Sequence, residues 1–188
     1  MRSSAASDVY KRQVTLRSGN ASVTTRYDVV VRDADWWVRE TRDDIALSTA
    51  VCREGSVEII DHTRNQTVTA AAADADAPDG IRLAERMGVM PLGDLTALIG
   101  TLGEGGTSDY GGGITGYSLA LTPARGTGEN VFTFDFTTAS GVQEVYSFSF
   151  ENAVLLTAEK YLGDRLIYQM ENTAYRNDLS DIDADKLF

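Results

Sequence analysis

From Val14 onward, polar and apolar residues alternate with period two, and β-branched and aromatic side chains carry the alternation. Ser22 to Val31 and Trp36 to Thr41 are the first two strands this predicts, with the polar break Asp33-Ala34-Asp35 between them. Ile45 to Cys52 and Ser56 to Asp61 flank Glu54-Gly55, where glycine supplies the positive φ of a tight hairpin. Gln66 to Ala70 follows the turn-like Asp61 to Asn65. After a long interruption the pattern resumes at Tyr117 to Thr122. In Val131 to Thr137, Phe132, Phe134 and Phe136 fall on one side and Thr133 and Asp135 on the other. Val142 to Phe150 sets Tyr146, Phe148 and Phe150 against Val145, Ser147 and Ser149. Val154 to Leu162 and Arg165 to Thr173 surround Gly163-Asp164, a second two-residue hairpin signal.

The interruption has its own pattern. Residues 71–80 are small, acidic and turn-rich and read as an exposed loop, and Ile81 to Gly88 reads as a short helical turn. Leu95, Leu98, Ile99 and Leu102 stand at i, i+3, i+4 and i+7, the stripe of a short amphipathic helix. Asp94 is placed to be its N-cap and Gly103 its stop. Gly103 to Gly116 holds seven glycines in fourteen residues and reads as a flexible linker.

Consecutive strands joined by tight turns pair antiparallel, because parallel neighbours need long crossovers. The expected class is mainly β, with about ten strands in an antiparallel curved sheet or incomplete β-barrel, since so wide a sheet curls. One or two helices would cover its concave face and bury the Leu95 stripe.

Charge and chemistry narrow the function. The chain has 188 residues, enough for one domain, and a net charge of −11, which repels phosphate backbones and argues against nucleic acid. No stretch reaches the roughly 18 apolar residues of a membrane-spanning helix. A single cysteine, Cys52, and a single histidine, His62, exclude a disulfide within the chain and the usual zinc ligand sets. Cys52 reads as a buried strand residue and His62 as an exposed turn residue. The glycine runs lack a P-loop lysine, and no basic residue stands between Met87 and Arg125. Asp74 to Gly80 has a proline inside its acidic run, and Asp181 to Asp185 is followed by Lys186 where an EF-hand needs glycine. No cofactor, metal or enzymatic activity is expected from these residues.

Residues 1–13 resemble translated sequencing-adapter read-through, as found at the ends of metagenomic gene predictions. On this reading they are an artefact or a disordered leader, and residues 14–188 form a single domain. Leaving them out, with one acid and three bases, takes the net charge to −13.

The hairpin from Leu155 to Met170 around Gly163-Asp164, the following Asn172 and Asn177, and the ending Leu187-Phe188 resemble the closing segment of the LolA-like family of lipoprotein carriers and their lipid-anchored relatives. Trp36-Trp37-Val38-Arg39-Glu40 is similar to that family's aromatic-plus-arginine strand. Glu54-Gly55 to Ile60-Asp61 is similar to one of its hairpins, and Leu92 to Leu102 falls where it has a central helix. The family's usual first helix and secretion signal are absent from this sequence, as expected if the true N-terminus, with any signal peptide or lipid-attachment cysteine, is missing from it.

The resemblance implies a concave apolar cavity for the acyl chain of a lipoprotein or another lipid, in an exported monomer. That protein would be periplasmic or lipid-anchored at the outer face of the cytoplasmic membrane. The lining would come from Trp36, Trp37, Leu95, Leu98, Ile99, Leu102, Phe132, Phe134, Phe136 and Phe148. Taken singly, each of these reads first as ordinary core, because period alone does not separate a core wall from a cavity wall. The alternative is a lipid-anchored protein that docks or regulates an envelope enzyme through a sheet edge or apolar patch.

Overall fold

The computed structural model describes residues 7–18, 20–32, 35–71, 89–90, 92–123, 130–149, 154–176 and 186–187. The expected helical turn at 81–88, both acidic runs and Phe150 lie outside them. In chain order the strands are β1 (Ser7–Ser18), β2 (Ala21–Arg32), β3 (Asp35–Arg42), β4 (Ile45–Arg53), β5 (Ser56–Asp61) and β6 (Gln66–Ala71). Helix α1 (Leu92–Gly103) and a 3-10 turn (Tyr110–Gly112) follow, then β7 (Ile114–Pro123), β8 (Asn130–Thr138), β9 (Val142–Ser149), β10 (Val154–Leu162) and β11 (Arg165–Arg176).

The strands form one antiparallel sheet in the order β6-β5-β4-β3-β2-β1-β11-β10-β9-β8-β7, open between the edges β6 and β7. The strand beyond the expected ten is β1, which begins inside the segment set aside as a leader. Arg12 Nε donates to Asn172 Oδ1 at 2.9 Å, and Thr173 Oγ1 donates to the Lys11 carbonyl at 3.2 Å. By internal contacts the chain divides into two compact units, Met1–Val14 with Thr24–Met87 and Asn172–Phe188, and Thr15–Val23 with Gly88–Glu171.

In the first unit, Val29, Val38 and Ala50 stand directly opposite one another on β2, β3 and β4 and are buried. Beside them Val31, Trp36, Cys52 and Val57 form the next row. Period two sends Trp37 to the other face, in register with Val30 and Val51, so the two tryptophans cannot share a lining. Buried Cys52 packs as a small apolar residue. The β4–β5 turn uses Glu54 and Gly55 at φ 47° and 75°, as the sequence predicts. The β3–β4 turn instead holds two non-glycine residues, Asp43 and Asp44, at φ 50° and 61°.

In the second unit, three cross-strand rows share one face. Leu119, Phe134, Tyr146, Ala158 and Met170 form the central row, from β7 to β11. Leu121, Phe132, Phe148 and Leu155 flank it on one side, and Tyr117, Phe136, Glu144, Lys160 and Tyr168 on the other. The opposite face is mostly polar, with Ser118 hydrogen-bonded to Asp135 and Thr133 to Ser147. Phe134, Phe136 and Tyr146 are fully buried, and the Phe136 and Tyr146 rings stack at 6.1 Å.

Helix α1 buries Leu95, Leu98 and Leu102 and half-buries Ile99, as the stripe predicts. It begins at Leu92, so Asp94 is not the N-cap but lies in the first turn, where the helix dipole still favours an acid. Its stop is not Gly103 but Gly105, at φ 78°. Gly105 N–H donates to the Leu102 carbonyl and Gly106 N–H to that of Thr101, the paired bonds of a Schellman end. The glycine-rich stretch beyond is a built turn: Gly112 and Gly113 N–H bond back to the carbonyls of Asp109 and Tyr110, and a Cβ on Gly111 would meet Thr138 Cγ2 at 2.7 Å.

Candidate functional site

A cavity of about 600 Å³ lies in the second unit, bounded by α1, residues 107–110 and β10. Val89, Met90, Ala97 and Leu98 give it an apolar wall. Leu98 reaches it because it sits on the buried stripe, whereas Ala97 and Thr101 belong to the helix's exposed flank. Thr107, Ser108, Tyr110 and Lys160 make a polar wall, and Asp94 and Asp109 are exposed at the rim.

The polar wall rests on a buried carboxylate. Glu144, placed on the apolar face by strand register, accepts hydrogen bonds from Tyr110 Oη at 3.0 Å on Oε1 and from Tyr146 Oη at 2.6 Å on Oε2. Lys160 Nζ lies 3.2 Å from Oε2. The side chains are 5% exposed for Glu144 and 22% for Lys160. The Lys160 ammonium also stands over the Tyr168 ring, 5.6 Å from its centroid. Burial, and then the negative charge of Glu144, push both the Tyr110 and Tyr146 hydroxyls above the ordinary tyrosine range. They stay neutral donors at any physiological pH.

A second cavity, of about 540 Å³, belongs to the first unit. Trp37, Val30, Val9 and Tyr175 line it beside the charged Lys11, Asp28, Arg39 and Arg176.

Of the ten residues expected to line one cavity, Leu98 lines the first and Trp37 the second. Leu95, Leu102, Phe134 and Phe136 are buried in the second unit and Trp36 in the first, while Ile99, Phe132 and Phe148 are half-buried. The Glu144, Lys160 and Tyr110 cluster was missed. One signal was available: Glu144 and Lys160 fall on the apolar phase of their strands, where a charge needs a partner.

Neither His62 nor Cys52 enters either wall. His62 is exposed and bonds through Nε2 to Thr49 Oγ1 at 2.8 Å, and its backbone meets Leu47 at the far end of β4 from Cys52. Asp61 beside it is held below the usual carboxylate range, first by the Thr63 hydroxyl and further by the Thr63 and Arg64 N–H groups. That is turn chemistry. Among the described residues no group of three histidine, cysteine or acidic side chains could hold a metal ion, and no helix is long and apolar enough to cross a membrane.

No protein-family model and no curated protein sequence matches the chain. Solved structures do match. An uncharacterized conserved protein from Thermus thermophilus is 8% identical with a TM-score of 0.51, covering 90% of this chain and 78% of its own. MucB is 13% identical with a TM-score of 0.54, covering 97% of this chain. The chain spans 57% of the length of MucB. These similarities show a shared fold. A LolA superfamily protein from Nitrosomonas europaea is more distant, 10% identical with a TM-score of 0.39, over 97% of this chain and 90% of its own.

Proposed function

We propose that the chain is an exported binding protein that holds the acyl chain of a lipoprotein or another lipid in the cavity beside α1. The observation that carries this reading is the cavity itself, with an apolar wall of Val89, Met90, Ala97 and Leu98 beside an amphipathic helix. Its size falls within the roughly 300–1,000 Å³ of small-molecule sites. Burying about a dozen methylene groups would contribute on the order of 5–10 kcal/mol before ordering costs. Such a protein works from the periplasm or from a lipid anchor at the membrane's outer face, and it needs no catalytic group.

The neutral apolar dye N-phenyl-1-naphthylamine tests the reading. Its fluorescence should rise on binding the native chain and be displaced by monolaurin. Ala97→Trp, which fills the cavity from the helix's exposed flank, should abolish both effects. Dye binding unchanged in that variant would rule the cavity out as the binding site.

One observation favours a second reading, a protein-docking role. Edge strand β7 carries no charged residue, and Tyr117, Leu119 and Leu121 are 45%, 42% and 56% exposed although they share a face with the buried core. Sheet edges left long, apolar and uncharged accept an added strand. Leu119→Lys should then abolish partner capture without touching dye binding, and capture that survives it would exclude β7 as the docking edge.

A further inference from the structure

We infer that the ion pair of Glu144 and Lys160 is a headgroup filter, which makes the cavity select neutral hydroxyl- and ester-bearing amphiphiles of the acylglycerol type over fatty acids. The inference rests on the cavity being a lipid site and adds which lipids it admits.

Among the described residues that line the cavity, Lys160 is the single cation. Its charge is already matched by Glu144, which is itself buried and held by two tyrosine hydroxyls. The two other charges on the wall, Asp94 and Asp109, are both negative. Among the described residues, a carboxylate head entering here meets no uncompensated cation and two acids at the rim, and it would give up its hydration for that. A neutral head loses far less on entry. An ammonium has three donors, so Lys160 keeps N–H groups beyond its bond to Glu144 for an ester carbonyl. The hydroxyls of Thr107 and Ser108 and the rim carboxylates can take glycerol hydroxyls. Leu98, Ala97, Val89 and Met90 then cover the chain. Glu144 acts as a positioning residue: it never needs to touch the lipid, because it decides whether the charge of Lys160 is available.

The test compares 1-lauroylglycerol with lauric acid, equal in chain length, by isothermal titration of the full chain at pH 7.5 and below micellar concentrations. The native protein should bind the glycerol ester at least about tenfold tighter, a difference of roughly 1.4 kcal/mol. Glu144→Gln, which frees the ammonium, should tighten lauric acid about tenfold or more and change the ester less than about threefold. Adding Lys160→Met to that variant should return lauric acid to weak binding, which a merely loosened cavity would not do. The paired rim substitutions Asp94→Asn and Asp109→Asn are exposed and spare the interior. They should raise lauric acid affinity a few-fold in a salt-dependent way, whatever the fate of the buried variant. Native lauric acid binding as tight as the ester's overturns the filter and leaves the lipid site standing. So does an ester-to-acid ratio unmoved by both Glu144→Gln and the rim pair. Binding of neither probe overturns the lipid site and the filter with it.

Discussion

Replacing Lys160 by methionine removes the cation and keeps an apolar stem of similar length against the Tyr168 ring. What remains is the Glu144 carboxylate, 5% exposed, held by two tyrosine hydroxyls but without its counter-charge. Breaking a fully buried pair by deleting one partner costs about 3–5 kcal/mol. One feature lowers that figure here: Lys160 is 22% exposed, so solvent already screens part of the pair. The expected loss is therefore about 2–3 kcal/mol. Glu144→Gln should cost less, about 1–2 kcal/mol, because a half-buried lysine can turn its ammonium toward water and the amide oxygen still accepts one tyrosine. The double variant should lose less than the sum, giving a favourable coupling of at least about 1 kcal/mol. Both tryptophans belong to the first unit, so their fluorescence is a poor reporter. Hydrogen exchange over Val142 to Leu162, with urea unfolding followed by far-ultraviolet circular dichroism, reads the affected strands. A Lys160→Met cost below about 0.5 kcal/mol, or purely additive variants, would refute the description of this pair as buried and coupled.

Further outcomes follow from the same geometry. Phe134→Ala should cost about 3–5 kcal/mol in urea melts because Phe136 and Tyr146 cannot close the gap, whereas half-buried Phe132→Ala should cost about half as much. A tyrosine held above its ordinary pKa binds its proton more tightly folded than unfolded. The stability that Tyr110 and Tyr146 add is thus complete below about pH 10 and lost as pH rises beyond it. A pH series of melts should show a steep alkaline fall, flattened in Tyr146→Phe. Gly105→Ala should lower stability by about 1 kcal/mol, because φ 78° suits only glycine well, and a neutral result would contradict the Schellman end.

Much of the fold was legible because its hydrophobic period is clean. The alternation of Phe132, Phe134 and Phe136 fixed which side of β8 faces inward, and Gly163-Asp164 marked a real hairpin, with Gly163 at φ 59°. The stripe at Leu95 gave α1 its buried face. The ends of that helix were legible only to a residue or two, because Gly103 and Gly105 are equally good stops until the carbonyls of Thr101 and Leu102 choose their donors. Asp43-Asp44 escaped notice as a turn, since aspartate enters left-handed backbone less readily than glycine. Strand β1 was hidden by a sequence of mixed polarity that no period announces. The cavity was the least legible part. Its wall combines a helix flank, a glycine-rich turn and a lysine from β10, brought together only by pairing across distant strands. Periodicity sorts residues by face, and it is blind to whether a face closes on side chains or on empty space.

The central claim, an acyl chain in the α1 cavity, is tested most directly by native mass spectrometry of the chain purified from a bacterial host without detergent. Adducts in the mass range of neutral acylglycerols or other lipids are expected on the native chain and absent from Ala97→Trp and from Leu98→Asp. A clean mass for the native chain after exposure to host lipids, or the same adducts on both variants, would contradict it.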